Sequence, residues 1–288
     1  MKEEKGRIIE GPSSSVEPQL GLNVFVLVDD CAGYNAVRIL AEHGLSLVVE
    51  HAGQRILLDT GQSSVFARNS RRLGVDLGSV SMVAISHGHY DHTGGLPHLL
   101  RTHARGKQLI AHPDAFERKV TKEGRDVGCP VSVNEVEKGF RVVLLEKTRK
   151  IAKDTYFLTG LERKHEDSGT VAFHIRNGGR EPDPVPDDSS VVLKTGRGLF
   201  IACGCAHTGM LNIVNEAIDL FGDEIYGLAG GFHLLHTSDR RIRSLIARLT
   251  ELGVQKIYPC HCTGIRATYL MQSRLRAEKI GSGDVVRI

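Results

Sequence analysis

Short apolar runs separated by polar turns dominate the first sixty residues. Residues 24–28 form one such run, closed by Asp29-Asp30. Residues 45–49 and 55–58 flank His51-Ala52-Gly53-Gln54 like the two arms of a hairpin. Three strands are therefore predicted before residue 60. Asp59-Thr60-Gly61 stops the third, and Val65, Phe66, Leu73 and Val75 follow at roughly helical spacing. Residues 80–85 are the next predicted strand, and it runs directly into Ser86-His87-Gly88-His89-Tyr90-Asp91-His92-Thr93-Gly94-Gly95.

Further along, residues 108–111 and 141–145 read as strands, with a charged, weakly patterned stretch between them. A Pro/Asp-rich break at 181–188 separates the chain into halves. Residues 191–193 and 199–202 then make a hairpin turned by Gly196-Arg197-Gly198. Asn212 is the predicted cap of a helix with Ile213, Val214, Ala217, Ile218 and Phe221 on one face. Ser238 caps another, with Ile242, Leu245, Ile246, Leu249 and Leu252 apolar and Gly253 as its stop. Strand-like stretches at 226–229 and 256–260 lie between and after them. Strand groups followed by helices, twice over, predict an α+β chain in which helices cover two packed sheets. Residues 1–21 mix charge with Gly-Pro-Ser-Ser-Ser and read as a flexible lead-in. The remainder, 22–288, reads as a single domain with an insertion around 113–161 that would form a lid or a subunit contact.

Composition narrows the function classes. With 37 Lys+Arg against 34 Asp+Glu the net charge is +3, so no polyanion-binding surface is expected and nucleic acid is not the expected partner. No stretch has the apolar length of a membrane helix and the first residues lack a signal core, so a soluble, cytoplasmic protein is expected, with no membrane partner. A small-molecule partner fits this picture, and a homo-oligomer is compatible with it. Six cysteines are too few for a disulfide framework, and their C-x-C pairs do not match a zinc ribbon. The 14 histidines exceed what packing requires, so position must say which of them matter.

Three imidazoles and a carboxylate fall within six residues in His87-x-His89-x-Asp91-His92, just past a strand. In an extended loop, 87 and 89 point to one side and can grip one ion, while Asp91 and His92 turn toward a second. This loop, with Asp59-Thr60-Gly61 before it, resembles the metallo-β-lactamase superfamily. Within it, Ala41–Ser46, Cys203–Gly209, Gly230–Leu234 and Cys260–Gly264 are similar to the branch of dihydropterin–ribofuranosylaminobenzene phosphate synthase-like metal-dependent hydrolases.

The resemblance implies an αββα sandwich, two mixed sheets face to face with helices outside, and a dinuclear site at one edge. Two zinc ions per chain are implied, with iron or manganese as alternatives. Carried over, His87 and His89 hold the first metal, Asp91, His92 and His261 the second, and Asp59 orients the loop. The sequence departs from the pattern after the later hairpin, where no Gly-Asp supplies the bridging carboxylate. Cys205 falls at that place and His207 two residues on, so one or both supply the missing ligand, with His207 favoured. Cys203 and Cys260 read as small apolar strand residues.

His233, after a strand-like stretch and Gly-Gly, reads as an active-site group, while His43 and His112 carry a weaker signal. A dication pair lowers the pKa of a shared water and presents it as hydroxide, giving hydrolysis of an ester-like bond in a small anionic or phosphorylated substrate. Asp91 would help aim the nucleophile and His233 would donate to the leaving group. The competing readings are a condensing synthase, against which the absence of Trp and the 5% aromatic content argue, and an iron-binding redox or sensor protein that uses Cys205.

Overall fold

A computed structural model describes residues 8–10, 21–34, 36–166, 173–176 and 179–288. The first strand, β1 (Ile8–Glu10), lies inside the stretch expected as a flexible lead-in. It pairs in parallel with the last strand and buries Ile9. The rest of that expectation, at 1–7 and 11–20, falls outside the described residues. β2 (Asn23–Val28), β3 (Ser46–His51) and β4 (Gln54–Leu58) are the three early strands, and His51 pairs with Gln54 at the hairpin tip. Helix α1 (Val65–Arg72) leads to β5 (Met82–Ala84). The histidine-rich loop passes into the short α2 (Tyr90–Thr93) and α3 (Leu96–Thr102), then β6 (Gln108–Ala111).

The stretch expected as an insertion is largely integral to the sandwich. After β7 (Lys119–Val120) and α4 (Val133–Val136), β8 (Arg141–Leu144) joins the first sheet, while β9 (Arg149–Ala152) and β10 (Thr155–Leu158) join the second. β7 instead pairs with β11 (Phe173–Arg176), which pairs with β12 (Gly179–Pro182), in a three-stranded sheet the sequence does not announce. In the Pro/Asp-rich break, Asp183, Val185, Asp187 and Asp188 are buried while Pro184 and Pro186 between them are exposed.

β13 (Ser190–Thr195) and β14 (Gly198–Cys203) form the later hairpin. Helix α5 (Met210–Phe221) starts at Gly209 and not at Asn212. The Asn212 side chain lies within the helix and ties down the 164–165 backbone, accepting from both amides and donating to the His165 carbonyl. β15 (Ile225–Gly231), α6 (Asp239–Glu251) with Ser238 at its N-cap, β16 (Lys256–Cys260), α7 (Ile265–Gln272) and β17 (Val285–Arg287) complete the chain. The order of the first sheet is β1-β17-β2-β3-β4-β5-β6-β8 and that of the second is β16-β15-β14-β13-β10-β9.

Both faces of each sheet are covered, which is why the strands read as nearly unbroken apolar runs. Val24, Val26, Leu47, Leu58, Phe157, Val191, Phe200 and Tyr258 meet between the sheets. Their alternates on the first sheet, Leu27, Val48, Leu57 and Val83, pack with Phe66, Leu96 and Leu99 from α1 and α3. Those on the second, Val192, Ile201 and Leu228, pack with α5, α6 and α7. Cys260 sits in the inter-sheet core and Cys203 in the outer one, as small apolar residues.

β4, β5 and β6 run parallel in one sheet and β14, β15 and β16 in the other, so several strands deliver their carboxyl ends to a common edge. Phe157 is fully buried between the sheets. Phe157→Ala is expected to cost about 3–5 kcal/mol by denaturant titration, with the sandwich retained.

Candidate metal centre

Loops leaving β4, β5, β14, β15 and β16 bring Asp59, His87, Cys205, His233 and His261 together at that edge. Four of the non-glycine residues in left-handed backbone lie here: Asp59 (φ 59°), Ala206 (52°), His233 (49°) and His261 (47°). Such conformations persist where surrounding contacts over-determine them, and they concentrate at functional sites.

Asp59 organises the histidine loop. One carboxylate oxygen accepts from Ser86 N at 2.7 Å. The other accepts from Ser86 Oγ at 2.6 Å and from His92 Nδ1 at 2.7 Å, all fully buried. Ser86 Oγ donates to Asp59, so its lone pair receives the Nδ1–H of His87 at 2.9 Å. Both rings are thereby held as the tautomer with a bare Nε2. A second carboxylate, Asp187, accepts Gly88 N at 2.7 Å and Lys119 Nζ at 3.0 Å, and Asp183 accepts the same ammonium at 3.0 Å. Burial works against the charge on Lys119, but Asp187 and Asp183 outweigh it and raise its pKa. Asp188 accepts Thr208 N at 2.7 Å and so fixes the turn bearing His207. Burial pushes its carboxyl up to about 6.

Two donor groups result. Nitrogens of His87, His89 and His207 lie within 4.8 Å of one another, with ring centroids 4.7–5.1 Å apart. Beside them, His261 Nε2 lies 3.3 Å from His92 Nε2 and 3.4 Å from Asp91 Oδ2, and His92 Nε2 is 3.7 Å from that oxygen. Asp30, at the exit of β2, takes His261 Nδ1 at 2.6 Å and His43 Nδ1 at 3.1 Å, while His43 Nε2 stands 3.4 Å from Asp91.

His207, favoured as the replacement for the bridging carboxylate, joins His87 and His89. Cys205 takes the place between the groups, its Sγ 3.1 Å from His92 Nε2 and 3.3 Å from Cys262 Sγ. The His233 ring lies 4.2 Å from that of His207, and its backbone N–H donates to Cys262 Sγ at 3.2 Å. His112 caps the turn after β6 by accepting Asp114 N.

These residues fit a metal. Nε2 of both His87 and His89 is buried with no hydrogen-bond partner, an expensive state for a polar atom unless a cation takes the lone pair. Burial holds His87 and His207 well below the ordinary imidazole value and His89 down to about 4, so all three are neutral ligands at neutral pH. Around His261 the balance is reversed. Burial opposes its charge, but Cys262, Asp30 and Asp91 outweigh that and raise its pKa well above the usual value, the signature of a pocket that wants positive charge.

Asp30, Asp187, Lys119 and Cys262 escape sequence reasoning. Asp30 follows a strand as Asp59 does, which is a usable signal. Lys119 lies in a weakly patterned stretch and offers none.

Asp59→Asn turns one of the two accepting oxygens into an NH2 donor, so it cannot accept from Ser86 N and from the Ser86 Oγ–His92 Nδ1 pair together. It is expected to weaken metal binding about 10–100-fold in a chelator-competition titration. A pH dependence follows from the low histidine pKa values. The unfolded chain binds protons near pH 6.5, while His87, His89 and His207 resist them, so their contribution to stability is complete above about 6.5 and is lost as pH falls below it, for His89 down toward about 4. His261, shifted upward, already contributes fully in that range. The melting temperature of chelator-treated protein, measured by calorimetry, should fall steadily over this interval.

Comparison with known proteins agrees with the geometry. A family model described as the metallo-beta-lactamase superfamily matches residues 40–261. A 7,8-dihydropterin-6-methyl-4-(beta-D-ribofuranosyl)-aminobenzene-5'-phosphate synthase of Methanocaldococcus jannaschii is 29% identical, the match covering 92% of this chain and 96% of that protein. An uncharacterized protein of the same archaeon is 33% identical, over 84% of this chain and 91% of its own. A solved structure described as a metal-dependent hydrolase of the beta-lactamase superfamily superposes with a TM-score of 0.83 at 33% identity, covering 93% of this chain and 99% of that one. The chain belongs to the metallo-β-lactamase superfamily.

Proposed function

We propose that this protein is a metal-dependent hydrolase that takes two divalent cations, zinc foremost, and cleaves an ester-like bond in a small anionic or phosphorylated substrate. The observation that carries this reading is the pair of adjoining donor groups in which His87 and His89 present buried, unpartnered Nε2 atoms. His87, His89 and His207 would hold one ion and Asp91, His92 and His261 the other, with Cys205 between them. Bound there, the cations supply Lewis acidity and lower the pKa of a coordinated water.

The chain's own groups do the rest. Burial works against ionisation of Asp91, but His92 and His261 outweigh it and keep the carboxylate charged and able to accept the hydrogen bond that aims an attacking water. The buried Nδ1 of His233 has no protein partner and can carry the proton delivered to a leaving group. Asp59 and Asp30 keep the rings of His92 and His261 in register throughout. Two cations beside buried imidazoles favour anionic oxygens, which supports a phosphorylated substrate.

A condensing synthase is the second reading, favoured by the activity named for the 29%-identical relative. Elemental analysis followed by assay on phosphomonoesters, phosphodiesters and carboxylic esters separates the two. About two zinc ions per chain with turnover of one ester class is the expected result, and iron would favour redox chemistry. Bound metal with no hydrolysis on any ester would favour the synthase. His89→Ala should lose metal and lower turnover by more than roughly 100-fold while circular dichroism stays that of the wild type. Wild-type ester hydrolysis in that variant would refute the assignment.

A further inference from the structure

Cys262 has no role in the reading above, yet it stands inside the centre. Its Sγ is 3.3 Å from that of Cys205 and accepts the His233 N–H at 3.2 Å. The two thiols come from different strands, Cys205 two residues beyond β14 and Cys262 two beyond β16, with β15 between them. Gly231, the last residue of β15, makes their meeting possible. A Cβ there would come within 2.7 Å of Cys262 Sγ.

The other two strand-end cysteines, Cys203 and Cys260, are explained by the apolar cores around them. Cys205 and Cys262 are not. Cys205 faces the ring of His92, Cys262 the backbone of His233, and the donor atoms of Cys205, His261 and Cys262 lie within 4.8 Å of one another.

We propose that Cys205 and Cys262 act as a pair of thiolate ligands that, with His261, make the second position selective for thiophilic divalent cations such as zinc, cobalt or cadmium over magnesium and manganese. This rests on the metal-binding reading above. Zn–S bonds of about 2.3 Å at a near-tetrahedral S–Zn–S angle set two sulfurs about 3.8 Å apart, so the observed separation needs an adjustment of only about half an ångström, and with both thiolates and His261 bound a four-coordinate ion keeps one of Asp91 and His92 and not both. Each thiol releases its proton to solvent on ligation, and the two negative charges gained offset the dication. The His233 N–H, donated to Cys262 Sγ, is the outer hydrogen bond that steadies a ligating thiolate.

Cobalt(II) titration of the metal-free full-length protein tests this. Sulfur-to-cobalt charge transfer in the near ultraviolet reports thiolate ligation, and visible d–d bands report cobalt held by any donors. Wild type should show both. Cys205→Ser and Cys262→Ser should each lose about half of the charge-transfer intensity and the double variant all of it, the d–d bands remaining. Charge transfer undiminished in Cys262→Ser, or absent from wild type that shows d–d bands, would overturn the thiolate pair and leave the metal reading standing. No d–d bands in wild type would overturn both. Wild type alone supplies a further check: alkylation of Cys262 by iodoacetamide, mapped by mass spectrometry, should slow when zinc is bound. An unchanged rate would also overturn the proposal.

Discussion

The centre depends on the buried carboxylate of Asp59. With no solvent to satisfy it, it must collect hydrogen bonds from the protein, and it collects them from Ser86 and His92, at the two ends of the histidine loop. Through Ser86 Oγ it also governs His87. One charge therefore settles the direction and tautomer of two imidazoles. Gly204 belongs to the same constraint, because a Cβ there would lie 2.0 Å from Ser86 Oγ. The loop after β14 can close over the carboxylate only without a side chain.

The sandwich makes this constraint affordable. Apolar contact on both faces of both sheets holds the strands rigidly enough for their ends to carry left-handed residues and buried charges, neither of which stabilises the fold by itself. The Lys119–Asp183–Asp187 group shows the pattern. It uses a short strand outside the two main sheets to hold in place the one carboxylate that accepts the Gly88 N–H, between His87 and His89.

Much of this is legible in the sequence, and the boundary has a physical cause. The nearly unbroken apolar runs at 24–28, 45–49 and 55–58 reveal the strands because both faces are buried, and the spacing of His87, His89, Asp91 and His92 reveals the donors because a short loop limits where they can point. His207 and Cys205 are visible as candidates, but which group each joins depends on how far the chain swings at Ala206, a left-handed residue with no glycine to mark it. Asn212 looks like a cap because local rules favour it there. The helix starts earlier because the amide has long-range work at the 164–165 backbone. Lys119 and Asp183 meet each other, and Cys262 meets Cys205 and His233, across long stretches of sequence, and periodicity carries no information about such partners.

His92 and His261 stand 169 positions apart in the chain and 3.3 Å apart in space, one carried by each sheet. A cation shared by the two would be a clasp between the halves of the sandwich as well as a reagent. Because such an ion binds the folded chain and not the unfolded one, it stabilises the fold by mass action, about 2.7 kcal/mol when free metal stands at 100 times Kd. Loading and folding are thereby coupled. Neither half can present the complete donor set alone, and an ion that arrives after the sheets have met locks an interface that apolar contact has already assembled.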